Sequence, residues 1–554
     1  MASFSVSPAV LVNEVDLSAT VSAVSTSIGA LVAGDLEWGP VDEISLISSE
    51  SELVTKFGRP TAVNYKDFFT AANFLSYSSA LKLIRVVNDA ARNATATINT
   101  DTPAPGTGQL IKNRADYDTA GLTEFIGAKY PGIKGNNLKL IGADSLNFAT
   151  RTFTLDVEDI PGAPINISDY FDIATPSDTE LYLIVTHKDP ISKTEIIVET
   201  HIVSITENAK NASGQNYYFD TYLANNSKWL WGNYDFLVTN SPSFDWATDF
   251  ELGGGLDGTD VAAAERNLGL AIFTASTEVD INLLMTGGAD ATTINYAIQN
   301  VAEVRRDCVA FVSPSNQADL INATDPTDMI NTKIADNVPS SSYAMMDGNY
   351  KYQYDKYFDV YRWVPLNGDI AGLCAKTDDI ADPWFSPAGF NRGQIKGVVK
   401  LAFQPNKTHR DEMYKNNINP IAAFPGEGVV LYGDKTLQAK ASSFQFINVR
   451  RLFITLEKAI STSSKYVLFE YNDFQTRNIF KNMVEPFLRR VKGRRGIYDF
   501  RVICDDSNNT GDVIDAGEFV ADIYVQPSRS IQVVQLNFIN TKSGVSFEEV
   551  IGEA

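Results

Sequence analysis

The sequence predicts an α/β and α+β protein of several domains, with an inserted, mostly β domain and an extended arm at each end. Three observations carry that reading. At 554 residues the chain exceeds the roughly 250–300 residues at which a single core stops growing. Residues 280–312 read as strand, helix, strand, the pattern of a parallel pair joined by a right-handed crossover. Thr, Pro and Gly crowd residues 95–108, and from there to about residue 245 the chain turns rich in Tyr, Thr, Ile and Asn, with strand-length runs.

Taken in order, residues 8–17 contain Pro8, alternate poorly and have no hairpin mate nearby. They are expected as a lone extended segment that pairs with something distant or with another molecule. Strands are expected at 27–33 and 41–48. A helix at 65–77 carries Phe68, Phe69, Ala72 and Leu75 on one face, and 80–88 reads as a buried strand. In the inserted region, the runs 152–157, 181–188 and 195–205 alternate as in an antiparallel sheet with one solvated face. Gly253-Gly254-Gly255 opens a second α/β stretch, with a strand at 280–286, a helix at 290–305 and a strand at 307–312. Residues 343–363, aromatic and acidic, lead back to a strand. Pro383, Pro387, Gly389 and Gly393 then make a stiff, turn-rich entry in which Trp384, Phe385 and Phe390 act as anchors. After Asn448, read as an N-cap, Val449, Leu452, Phe453, Leu456 and Ile460 fall at helical spacing, leaving Arg450, Arg451 and Lys458 off the apolar stripe. Residues 535–550 form a last strand-like run with Lys542-Ser543-Gly544 as its turn. No repeat of fixed period is evident.

Charge restricts the partners. The chain has 46 Lys and Arg against 68 Asp and Glu, a net of −22, which argues against nucleic acid. The balance is uneven: from Phe390 to Arg501 there are 20 basic and 9 acidic residues, leaving 26 and 59 elsewhere. A basic module inside an acidic chain points to two surfaces with different partners. No apolar run approaches the ~18–20 residues that span a bilayer, and the first residues lack the pattern of a secretory signal. Three scattered cysteines suggest neither a disulfide framework nor a metal site, so synthesis in a reducing cytoplasm is expected.

Several signals mimic chemistry. Gly253, Gly255 and Gly258 satisfy G-x-G-x-x-G, with Glu278 and Asp280 about 20 residues on. A dinucleotide loop needs a strand running straight into it, yet the approach Asp245-Trp246-Ala247-Thr248-Asp249-Phe250-Glu251-Leu252 is polar and acidic, so a turn at a domain junction is preferred. The stretch from Asp505 to Glu518 looks like a calcium loop, but its glutamate comes one residue late to reach the ion. His187, His201 and His409 stand apart, and no nucleophile-elbow pattern surrounds any serine. No catalytic, cofactor or metal residue is assigned. The charged cluster that remains is Arg489-Arg490-Val491-Lys492-Gly493-Arg494-Arg495. Before it, Ile479, Phe480, Met483, Val484, Phe487, Leu488 and Val491 recur at helical spacing, with Pro486 expected to kink or restart the helix. Arg477, Lys481, Arg489 and Arg490 fall on its polar face.

The segments Asp382-Pro383-Trp384-Phe385-Ser386-Pro387-Ala388-Gly389-Phe390-Asn391-Arg392-Gly393, Ile418-Asn419-Pro420-Ile421, Gly433-Asp434-Lys435-Thr436-Leu437 and Phe446-Ile447-Asn448-Val449-Arg450-Arg451 resemble the C-terminal core of tail sheath proteins of contractile-tailed bacteriophages. Pro8-Ala9-Val10-Leu11-Val12-Asn13-Glu14-Val15-Asp16 is similar to the sheath N-terminal arm. Gly34-Asp35-Leu36-Glu37-Trp38-Gly39-Pro40-Val41 and Leu53-Val54-Thr55-Lys56-Phe57-Gly58 resemble the segments that follow it. Ala521-Asp522-Ile523-Tyr524-Val525-Gln526-Pro527 resembles the closing strand. The resemblance covers about residues 1–90 and 250–554; nothing in 95–240 matches.

It implies a tail-sheath-like core divided as follows: an N-terminal arm (1–20), a middle α/β domain (21–94 with 246–381), an inserted outer β-rich domain (95–245), a tube-facing core domain (382–527) and a C-terminal arm (528–554). It implies a structural, non-enzymatic subunit that stacks as rings around a tail tube and contracts, with no cofactor. Expected partners are further copies of the chain, the tube protein, and baseplate and tail terminator proteins, with no membrane insertion. The expected place is the virion tail, assembled in the host bacterial cytoplasm. The expected inter-subunit strands use Val10, Leu11, Val12, Val15, Leu536, Phe538, Ile539, Val545 and Phe547. The expected tube-facing basic helix uses Arg477, Lys481, Arg489, Arg490, Lys492, Arg494 and Arg495. The alternatives are a nucleotide-binding enzyme built on 250–315 and a virion adhesin that binds through 95–240.

Overall fold

The segment Gly29–Gly34 has no charged residue and is buried along its whole length, a requirement met at the centre of a parallel sheet covered on both faces. The computed structural model describes residues 27–532, apart from 100–101, 172–175, 242–243, 245, 247 and 322, and residue 535 beyond them. In it this strand lies inside a six-stranded sheet, flanked by Leu81–Val86 and Leu283–Met285. Val309–Val312 and Ala344–Met346 continue the parallel order on one side. Ile44–Ile47 closes the other side as an antiparallel edge.

Alternation along the strand sorts its side chains into two cores. Leu31 and Ala33 join one that includes Phe68, Phe74, Ile370 and Leu373, carried by the helices Tyr65–Leu75 and Asn367–Ile380. Ala30 and Val32 join the other, with Leu270, Ile294, Ile298 and Val301. The strand–helix–strand unit expected at 280–312 is present and parallel. Its helix is not uniform: α-helical turns at Ala291–Tyr296 and Glu303–Arg305 flank a π-helical stretch, Ala297–Ala302. The expected strand near 343–363 is three strands. Ala344–Met346 belongs to the central sheet, and Tyr350–Asp355 and Val360–Pro365 form a hairpin beside it.

Residues from 95 to 252 build two four-stranded antiparallel sheets around an aromatic core that contains Phe125, Phe219, Trp246 and Phe250. The run 152–157 splits into two short strands, Thr152–Phe153 and Asp156–Val157, with separate partners. This part is welded to the rest. Trp38, which precedes it by more than 50 positions, is buried in its core, edge-on to Tyr130 and 5.3 Å from Trp229. Arg85, fully buried on the strand Leu81–Val86, donates to the carbonyls of Gly39 (2.9 Å) and Pro131 (2.8 Å).

The boundary expected at residue 382 does not separate compact bodies. The chain divides between Tyr471 and Asn472. Residues after 382 complete the central cores instead: Ile395, Ile421, Leu431, Ile447 and Ile454 enter one, and Phe403, Met413, Ile418 and Leu437 the other. Asn419 also extends the edge of the sheet, its amide donating to Met346 O at 2.9 Å and its side chain bridging to Lys435. The helix that follows spans Ile447–Ser464 with Phe446 at its N-cap, so Asn448 lies inside the helix and is buried. Arg450 and Arg451 are buried too. Arg451 pairs with Asp378 at 2.6 Å, and the Arg450 guanidinium lies 4.2 Å from the Tyr343 ring and 3.9 Å from that of Phe444. Lys458 pairs with Asp280. A helix enclosed on more than one side needs its cations neutralised or stacked, and a one-stripe reading of its sequence does not anticipate that.

The Trp38 contact predicts the outcome of cutting the insertion away. Trp38→Ala should lower the unfolding free energy by about 3–5 kcal/mol, measured by denaturant titration. Deleting 95–240 with Trp38 kept should give protein that aggregates on size exclusion, and adding Trp38→Ser should relieve it.

Candidate assembly surfaces

In open α/β sheets, ligands sit outside the carboxyl ends of the parallel strands. In this chain those ends are Gly34, Gly287, Ser313 and Asp347, and side chains fill the space beyond them. Asp67 accepts from the amides of Gly34 (3.1 Å) and Gly288 (2.8 Å) and pairs with Arg266 at 2.7 Å. Asn367 accepts from Gly287 N and donates to Gly287 O at 2.9 Å. The Ser313 hydroxyl donates to Asp347 at 2.6 Å while accepting from the amides of Leu366 and Asn367. Behind them Lys351 and Asp369, both 1% exposed, form an ion pair at 2.9 Å. Tyr77 donates to the same carboxylate, and its hydroxyl accepts from the Lys396 amide. Burial holds the Lys351 amine below its usual range and the Asp369 carboxyl above its own.

The G-x-G-x-x-G segment is likewise occupied. The Gly253 amide donates to Thr95 O (2.9 Å), and the Gly255 amide to Asn136 Oδ1 (2.7 Å). Gly254 sits at φ 73°, where a Cβ would stand 2.6–2.7 Å from the backbone of residues 106–108. These glycines allow two backbone segments to touch, and the Gly253 and Gly255 amides that a phosphate would need are already donating. The histidines are dispersed: His187 against Trp229, His201 on Glu199 at 3.0 Å, and His409 over Phe403.

The second compact unit begins at Asn472 and is built on the helix Phe474–Gly493. Asp473 caps it by accepting from the Thr476 amide at 2.8 Å. The helix runs unbroken through Pro486. Phe480, Met483, Val484, Leu488 and Val491 form its buried stripe, whereas Ile479, expected there, is 42% exposed. Ile497–Ile503 and Asp522–Pro527 pair beside it as a two-stranded antiparallel sheet. Among the described residues neither outer edge of this sheet has a partner strand. The expected arm residues (Val10, Leu11, Val12 and Val15 at one end; Leu536, Phe538, Ile539, Val545 and Phe547 at the other) lie outside the described residues.

The basic helix residues divide into three groups. Arg477 is buried and turned inward, donating to Asn472 and Asp506, which removes it from an outer polar face. Lys481 and Arg489 flank Glu485 at 3.8 and 2.9 Å, and Lys492 pairs with Asp499 at 2.9 Å. Arg490, Arg494 and Arg495 stand exposed at the helix end, and Arg490 and Arg495 have no ion-pair partner among the described residues. The neutralising role of Glu485 was legible as i±4 spacing; that of Asp499 depends on the strand folding back along the helix.

Two titration and stability outcomes follow from the buried edge. Burial pushes the Asp347 carboxyl up to about 7, against the opposing hydrogen bonds from Ser313 and the Asn349 amide. The folded chain thus holds this proton more tightly than the unfolded one. Its stabilising contribution is complete below pH ~4 and is lost as pH rises to about 7. Asp347→Asn should flatten the fall of the unfolding midpoint over that window. Lys351→Ala, which strands the buried Asp369 carboxylate, should cost about 3–5 kcal/mol, and the paired change Lys351→Met with Asp369→Leu should cost less.

The chain matches known proteins along nearly its whole length. Residues 262–437 match the phage tail sheath protein central domain and residues 439–539 the phage tail sheath C-terminal domain. The tail sheath protein of Vibrio phage KVP40 is 34% identical, with 99% of each chain covered, and that of Enterobacteria phage T4 is 32% identical, again over 99% of each. The solved sheath tail protein of Listeria innocua shares the fold at a TM-score of 0.55 and 12% identity, covering 92% of this chain and 97% of that one.

Proposed function

The chain belongs to the phage tail sheath protein family, and on that premise we propose that its two terminal segments tie subunit to subunit while its basic helix faces the tail tube. It is a structural subunit of a contractile tail sheath, a component of the virion tail. Stacked as rings around the tube, it contracts to drive the tube through the host envelope.

The observation that carries the linkage is the sheet of Ile497–Ile503 and Asp522–Pro527. A two-stranded sheet is marginal by itself, and its two edges, which have no partner strand among the described residues, offer backbone N–H and C=O groups for pairing. Residues 8–17 and 535–550 supply one strand for each edge, donated by neighbouring subunits. Backbone pairing of this kind is strong and tolerant of sequence. The Ser528 amide donates to Gly496 O at 3.1 Å, which fastens the chain leaving Asp522–Pro527 to the turn after the helix.

In this reading the tube-facing part is the second unit, from residue 472, and not the whole of 382–527. Lys481, Arg489, Arg490, Lys492, Arg494 and Arg495 meet the tube, while Arg477 holds the helix start in place. Each exposed contact is worth about 0–1 kcal/mol, weak enough for the sheath to release the tube as it shortens. The filled edge of the central sheet supports contraction driven by subunit contacts alone, without nucleotide. Residues 95–245 sit on the outside of the particle, and baseplate and terminator proteins bound the polymer, which assembles in the host cytoplasm.

Negative-stain microscopy of purified chain tests the linkage. Full-length protein should form long cylinders, and a variant lacking 1–20 and 528–554 should not. Long cylinders from the doubly trimmed chain would overturn the arm reading. Reversing Arg489, Arg490, Arg494 and Arg495 to Glu should abolish ordered assembly on tubes, and unchanged assembly would remove the helix from the tube interface.

A further inference from the structure

The second unit carries its charge at two poles. Residues 489–495 hold five basic residues and no acidic one, whereas 504–528 hold six acidic residues and no basic one. The helix Phe474–Gly493 keeps the poles apart. The acidic loop is fastened to the start of the helix: Asn472 donates to Asn509 (3.0 Å) and to Glu518 O (2.8 Å), Arg477 pairs with Asp506, and Phe519 packs on Phe480. The basic pole lies at the other end, where the Gly496 amide closes onto Val491 O. Twenty residues of helix at 1.5 Å per residue separate the two by about 30 Å.

That distance is more than three Debye lengths at physiological salt, each about 8 Å, so the poles do not neutralise one another within one subunit. Local ion pairs take up only part of them: Arg489 pairs with Glu485, Lys492 with Asp499 and Asp506 with Arg477. Arg490 and Arg495 have no ion-pair partner among the described residues, and Asp512, Asp515 and Glu518 are exposed and have none either.

We propose that the basic end of this helix docks on the acidic loop of a second copy of the chain. The contact is heterologous, since one subunit gives its positive pole and the next its negative pole, and a heterologous contact that does not close continues as a helix or ring. Opposite charges facing each other fix register and speed encounter more than they add affinity, which suits a subunit whose arms already supply the strong linkage. The inference rests on the sheath-subunit reading and adds to it a contact that the same helix end makes when it is not engaged with the tube.

The test uses full-length chain polymerising in the absence of tube, followed by sedimentation and electron microscopy. Asp512→Lys, Asp515→Lys and Glu518→Lys together should raise the critical concentration for polymer about tenfold or more. Adding Arg490→Glu, Arg494→Glu and Arg495→Glu should restore it. For wild-type chain the critical concentration should rise between about 50 mM and about 500 mM NaCl. Polymers of the loop variant at the wild-type critical concentration, failure of the double reversal to rescue, or a salt-independent wild type would each overturn the contact. Wild-type chain that stays monomeric at every salt concentration would overturn the sheath-forming reading and the contact with it.

Discussion

A parallel sheet with both faces buried must be covered by two separate layers of apolar side chains, and that requirement organises the described residues up to Tyr471. The covering residues come from segments hundreds of positions apart, from Phe68 and Phe74 to Ile447 and Ile454 on one face. Because the last of them lie beyond residue 440, that face of the sheet is incomplete until most of the chain has been made. The same requirement explains why Arg450 and Arg451 lie inside the fold, with one guanidinium between aromatic rings and the other on Asp378.

The carboxyl edge of this sheet illustrates how a fold and a function separate. In an enzyme of this class the loops there leave a crevice. Here Asp67, Asn367, Ser313 and Asp347 satisfy the loop amides and each other, and the Lys351–Asp369 pair lies behind them. Such a network gives rigidity, because every buried polar group depends on its neighbours for compensation. A rigid body is what a subunit needs if its task is to be moved as a block and to transmit force.

The second unit has the opposite character. Its two-stranded sheet is too small to be self-sufficient, and its charges are sorted to the ends of one helix. In the assembly we propose, strong, sequence-tolerant backbone pairing at the sheet edges and weak, salt-sensitive contacts at the helix end are complementary devices: the first keeps subunits connected, and the second lets surfaces exchange partners as the polymer rearranges.

Local pattern in the sequence determined the strand–helix–strand unit at 280–312, the helix from Tyr65, the hairpin strands near 181–204, the apolar stripe of the basic helix and the family resemblance. Each rests on periodicity or on contiguous motifs, which survive without knowledge of distant contacts. Tertiary structure alone decided that residues 382–471 complete the central cores, that Trp38 belongs to the core of the insertion, and that Arg477 turns inward while Arg490 stays exposed. These outcomes depend on which distant residue comes within a few ångströms, and burial of an arginine is settled by whether an aspartate or an aromatic ring waits for it. Sequence spacing along one helix does not contain that information.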